Sequence, residues 1–191
     1  MPELSRRQFI AAAGGSIAAA WLAAEARDLL AAGEHAARAA RETPPPPFQV
    51  LTADQAADLE AFTAQIVPTD DTPGAREARV VYFIDKSLAT FAKDQRPMFE
   101  KGIKDLRTRA AKVNRTAKSF AALTDAQQVA IITALEKDKS EFFELARGAT
   151  IAGMLSNPEY GGNFNKAGWK MIGFDDRFSW SAPFGWYDTN A

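Results

Sequence analysis

Three groups of residues in this chain have types and spacings that could do chemistry. Asp70 and Asp71 are adjacent, with Glu77 and Asp85 downstream. Neighbouring carboxylates can work as an acid–base pair or hold a hard cation. The same Asp-Asp-x-Pro-Gly string ahead of a helix is also what a turn and the positive end of a helix ask for, and that plainer reading is preferred. Tyr160-Gly161-Gly162-Asn163 could bring backbone N–H groups close to a phosphate, but it lacks the Gly-x-Gly-x-x-Gly order and a preceding strand. It reads as a loop. Residues 101–118 carry Lys101, Lys104, Arg107, Arg109 and Lys112, which by default form a solvated helix face.

Composition closes off most other chemistry. There is no cysteine, which excludes disulfides, thiolate zinc sites, iron–sulfur clusters, cysteine nucleophiles and the C-x-x-C-H attachment of c-type haem. The one histidine, His35, lies in an alanine-rich stretch, so a Ser-His-Asp triad or a multi-histidine metal site within the chain is close to excluded. Twenty-three Lys and Arg against 24 Asp and Glu give a net charge of -1, which argues against nucleic-acid binding. At 191 residues and 47% hydrophobic content, a single globular domain is expected. No residue is assigned a catalytic, cofactor-binding or metal-binding role.

The elements that must position these residues read as helices. Thr52-x-x-Gln55 has the form of a capping box, and Leu59, Phe62 and Ile66 follow at helical spacing until Pro68. A second helix is expected from near Ala75, with Val80, Ile84, Leu88 and Phe91 inward. Phe99, Ile103, Leu106, Ala110 and Val113 mark a third stripe. Thr124-x-x-Gln127 caps a fourth helix with Val129, Ile132 and Leu135, and residues 141–155 make a fifth with Phe142, Leu145, Ala149 and Ala152 inward. No stretch alternates apolar and polar residues for long enough to predict a strand. The expectation is an all-α domain of about five helices over residues 48–157.

Residues 158–191 break the pattern. They hold nine of the 20 aromatic residues, interspersed with five glycines and two prolines, and no period persists. A segment this aromatic must pack on something. Most rings are expected on the chain's own domain. Others, among Trp169, Phe178, Trp180, Phe184, Trp186 and Tyr187, are candidates for a partner surface, because Trp and Tyr are enriched at interfaces.

The N-terminus reads as an address. Arg6-Arg7 precede Phe9 and an apolar run from Ile10 to Ala24, the layout of a twin-arginine export signal. As a helix the run would be about 22 Å long, short of the roughly 30 Å of a bilayer core. Residues 25–47 form an alanine-rich stalk closed by Pro44-Pro45-Pro46-Pro47, a stiff spacer. Twin-arginine export carries folded proteins, yet this chain has no cofactor motif that would require folding first. Something travelling with it would.

Two segments then carry a resemblance. Ile66-Val67-Pro68-Thr69-Asp70-Asp71-Thr72-Pro73-Gly74-Ala75-Arg76-Glu77-Ala78, with Val81, Phe83, Ile84 and Asp85, resembles the first signature of the gluconate 2-dehydrogenase subunit 3 family. Thr150 to Asn163, with its Asn157-Pro158 and Tyr160-Gly161-Gly162-Asn163, followed by Gly168-Trp169-Lys170-Met171-Ile172-Gly173, resembles the second. The resemblance covers about residues 48–175. It implies a small non-catalytic subunit of a periplasmic, membrane-associated sugar or sugar-acid dehydrogenase. The large subunit would be a flavoprotein of the glucose–methanol–choline type holding FAD, with a c-type cytochrome carrying haem c as a further subunit in some complexes. The small subunit would carry the export signal and support folding of the flavoprotein, and membrane association would be indirect, through the complex. Asp70, Asp71, Tyr160, Gly161, Gly162, Asn163 and Trp169 then become candidate interface residues. The alternative is a stand-alone periplasmic sugar-binding or sugar-modifying domain using Asp70, Asp71 and the aromatic tail.

Overall fold

A computed structural model describes residues 45–176. The export signal, with Arg6, Arg7 and Phe9, most of the stalk, and Phe178, Trp180, Phe184, Trp186 and Tyr187 lie outside the described residues. Within them the protein is all-helical, with no strand. Helix α1 spans Ala53–Ile66, α2 Val80–Ala89, α3 Arg96–Val113, α4 Asp125–Lys137, α5 Glu141–Leu155 and α6 Ala167–Met171.

Local chemistry sets several of these boundaries. Both expected capping boxes form: Thr52 and Thr124 each accept from the backbone N–H three residues on, and Gln55 and Gln127 reach back to the cap N–H. Pro97 sits in the first turn of α3, where its missing N–H costs nothing. The second helix starts later than the sequence suggests. Residues 75–79 form a turn, with Val80 N–H donating to Ala75 C=O, and Arg79 takes the left-handed conformation (φ 54°). That residue resets the helical ladder, so α2 begins at Val80.

The core lies where α1, α2, α3 and α5 meet. Phe142 of α5 packs against Phe62 (5.4 Å between centroids) and Phe99 (5.9 Å), and Phe143 closes on Phe62 from the other side. Truncating one of these rings to alanine would cost about 3–5 kcal/mol. The almost wholly buried α2 contributes Val80, Val81, Ile84 and Leu88. Four stripe residues turn outward instead. Phe91 is exposed because α2 ends at Ala89 and Thr90 breaks its direction, and Val113 is exposed in the last turn of α3. On α4 the buried position is Ile131 while Val129 faces solvent, and on α5 Phe143, Ala146 and Thr150 are buried while Ala152 is exposed.

Buried polar groups tie loops to this core. Asp85, on the inner side of α2, accepts from the backbone N–H groups of Gln49, Val50 and Leu51 at 2.8–2.9 Å and so anchors the chain entering α1. Asp58, fully buried on α1, accepts from Arg107 of α3 and from Ala121 N–H, pinning the α3–α4 loop. An acceptor supplied with charged or backbone donors offsets the cost of its own burial.

Candidate functional site

The first signature folds into a self-satisfied turn between α1 and α2. Asp70 accepts from both the N–H and the hydroxyl of Thr72 (2.8 and 2.9 Å), and the first of these bonds does most to hold its carboxyl below the ordinary range. Glu77 accepts from the Thr69 hydroxyl (2.8 Å) and from Gly74 N–H (2.9 Å), and the Thr69 bond leads in lowering its pKa. Asp71 is exposed beside them. Asp85 belongs elsewhere, buried under residues 49–51. Among the described residues no group of three His, Asp or Glu side chains is placed to hold a metal. These carboxylates build a turn.

The second signature solves a different problem, the open carbonyls at the C-terminal end of α5. Asn163 is completely buried and left-handed (φ 47°). Its Nδ2 donates to Ser156 C=O (2.9 Å), while its Oδ1 accepts from Gly168 N–H (2.8 Å) and, more distantly, Trp169 N–H (3.4 Å). Trp169 Nε1 donates to Leu155 C=O (2.8 Å). One asparagine and one indole thus close the end of α5 and start α6 across it. The approach is too close for side chains: a Cβ on Gly162 would lie 2.2 Å from Gly153 O, and one on Gly168 1.9 Å from Met154 O. The described part of the segment lacking any period in the sequence holds two short 3-10 turns, Pro158–Tyr160 and Phe164–Lys166, leading into α6.

The two signatures meet. Phe164 N–H donates to Ala78 C=O (3.0 Å), and the Arg79 guanidinium lies over the Phe164 ring at 3.6 Å. Gly153 of α5 faces Val80 and Phe83 of α2, and Gly161 lies beside Tyr82 and Lys86. Segments more than 60 residues apart in sequence form one structural unit.

Of the candidate interface residues, Gly161, Gly162 and Asn163 are inside this unit, Trp169 is half-buried, and Tyr160 faces outward with Asp70 and Asp71. Around Tyr160 and the α5–α6 corner five apolar side chains are exposed, Ile151, Leu155, Met171, Ile172 and Phe174, with Ile172 at 56% and Phe174 at 47% exposure, among the exposed Glu159, Lys166, Lys170, Asp175 and Asp176. Phe174 also sets its ring edge against Trp169 at 5.1 Å. Open apolar side chains grouped on a small domain are the kind of surface through which proteins associate. The corner directly precedes the aromatic residues outside the described region. Sequence reading passed over Ile151, Leu155, Met171 and Ile172, and their only signal was apolar character beside a loop.

The family model for gluconate 2-dehydrogenase subunit 3 matches residues 53–176, from the first residue of α1 to just past the α5–α6 corner. The chain belongs to the gluconate 2-dehydrogenase subunit 3 family. Membership makes it a subunit of a multi-subunit dehydrogenase, with other subunits as partners. No curated protein and no solved structure matches the chain significantly. The span shared with the subunit 3 family contains both signatures and the contacts that join them. None of the helices among the described residues is long and apolar enough to cross a membrane.

Proposed function

We propose that this subunit is non-catalytic. It binds and stabilises a flavoprotein of the glucose–methanol–choline type that oxidises a sugar, sugar acid or glycoside, and it directs that protein through twin-arginine export to the periplasm. FAD resides in the partner, and a c-type cytochrome takes the electrons in complexes that have one. The observation that carries the reading is the apolar corner of Ile151, Leu155, Tyr160, Met171, Ile172 and Phe174, left open by two signatures whose loops close on themselves through Glu77 and Asn163. Family membership supports a partner protein as its occupant, and Arg6-Arg7-Gln8-Phe9 supports the export route. A stand-alone sugar site on Asp70 and Asp71 is not favoured, because Asp70 already accepts two bonds within its own turn.

The test is co-expression of the chain with the flavoprotein encoded beside it. Arg6→Lys with Arg7→Lys should strand both proteins, active, in the cytoplasm. Ile172→Asp with Leu155→Asp should leave the chain folded but abolish co-purification. Normal periplasmic dehydrogenase activity in the arginine variant would overturn the export role, and intact co-purification of the aspartate variant would overturn the docking surface.

A further inference from the structure

The basic face of α3 takes no part in the site above. Lys101, Lys104, Thr108 and Lys112 follow one another at intervals of three, four and four residues, which keeps them on one side of the helix. They lie opposite the buried Phe99, Ile103, Leu106 and Ala110. The ridge from Lys101 to Lys112 is about 16 Å long at 1.5 Å per residue. Arg115 and Lys118 continue the charge past the helix end, and all five cations are exposed. Residues 96–118 hold eight Lys and Arg against two Asp and Glu, in a chain whose net charge is -1.

The nearby acids do not neutralise it. Arg109 takes Asp105 at 2.7 Å and Asp138 at 3.6 Å, and Arg107 takes Asp58. Glu100 is exposed on the flank of the helix, and Glu141 lines a hollow of about 380 Å³ beside Lys101 and Lys104. Among the described residues none of the five ridge cations makes an ion pair. The ridge is also remote from the apolar corner. Helix α3 meets α5 at Phe142, whose ring packs on Gly102, whereas the corner begins near Ile151 and Leu155. From Phe142 along α5, Ile151 lies about 14 Å away and Leu155 about 20 Å.

We propose that the lysine ridge of α3 docks the subunit on an anionic phospholipid surface, giving the complex a direct membrane contact. Its composition favours lipid over protein. Protein interfaces enrich aromatic residues, Met and Arg and are depleted in Lys, and the ridge is four lysines and one arginine with no aromatic residue. Lysine is a compact, hydrated point charge suited to diffuse adsorption on headgroups. Clusters of four to eight such charges on an amphipathic helix bind anionic lipid, at about fivefold in partitioning per residue.

The experiment uses the full chain in complex with its flavoprotein, floated with phosphatidylglycerol-rich vesicles and, in parallel, with pure phosphatidylcholine vesicles. The wild type should float with the anionic vesicles only and be released by high salt. Lys101→Gln, Lys104→Gln and Lys112→Gln together should weaken adsorption about 100-fold, with the flavoprotein still bound. Single Lys101→Gln, Lys104→Gln and Lys112→Gln variants should each weaken adsorption about fivefold, and they decide the matter if the triple variant misfolds, unchanged adsorption of all three overturning the proposal. Unchanged adsorption of the folded Gln variant overturns the proposal. Loss of the flavoprotein from a folded Gln variant overturns it in favour of an acidic protein surface. Retention of the flavoprotein by the Gln variant keeps this result separate from the fate of the apolar corner.

Discussion

Replacing Asn163 with alanine tests whether one side chain holds the corner together. The substitution removes two short hydrogen bonds, to Ser156 C=O and from Gly168 N–H, and one long bond from Trp169 that contributes little. Gly168 is buried and Ser156 partly so. Each polar group left without a partner costs about 1–3 kcal/mol. Alanine at φ 47° adds about 1–2 kcal/mol that asparagine, tolerant of the left-handed region, largely avoids. The total is about 3–8 kcal/mol, a large part of the 5–15 kcal/mol that stabilises a typical domain. For a domain of this size that lowers the thermal midpoint by about 10–25 °C. Asn163→Gly loses the same bonds but not the backbone comfort, so it should be more stable than the alanine variant by about 1–2 kcal/mol. Circular dichroism melting of the three proteins provides the comparison. An alanine variant that melts with the wild type, or a glycine variant no better than alanine, would refute the reasoning.

The glycines of α5 and its corner should separate sharply. Gly168→Ala forces a Cβ to within 1.9 Å of Met154 O, so backbone must move, and a loss of more than about 2 kcal/mol is expected in urea unfolding. Gly148→Ala meets nothing within 4 Å on the same α5 and should stabilise by about 0.5–1 kcal/mol. Acid titration of stability reads out Glu77. Its pKa lies below 4.5 in the folded protein, so its contribution is complete above that value and is lost as pH falls through the folded pKa. Glu77→Gln should therefore lower the urea midpoint at neutral pH, and the gap from wild type should close on acidification below pH 4.5. A gap constant with pH would show that Glu77 does not act through its charge.

Much of the helical scaffold was legible because its signals are local. Both capping boxes, Pro68 and Pro97, and the stripes through Leu59, Phe62, Phe99, Ile103 and Leu106 are set by interactions within a turn or two of the chain. The errors fall where non-local contacts override period. Arg79 interrupts the second helix and sits against Phe164, whose N–H bonds to Ala78, so the turn at 75–79 is held by a segment 85 residues downstream. On α5 the stripe was displaced by one position because Phe143, not Leu145, packs toward Phe62. Asp85 was grouped with Asp70 and Asp71 on proximity in sequence. A lone carboxylate in the apolar run Val80–Leu88 instead signalled a buried acceptor, and its donors at residues 49–51 appear only in three dimensions.

By itself, then, the sequence determined the all-helical class, the family signatures and the exclusion of cysteine chemistry, since composition, caps and periodicity act through short-range sterics and hydrogen bonding. Tertiary structure alone decided what the signatures are for. Gly162, Asn163 and Gly168 look in sequence like a loop open to a ligand, but the open carbonyls of α5 draw Asn163 and Trp169 inward, and glycine permits the approach. Which apolar residues remain outside follows from that closure. Exposure is a property of the whole packed surface, and no window of sequence contains it.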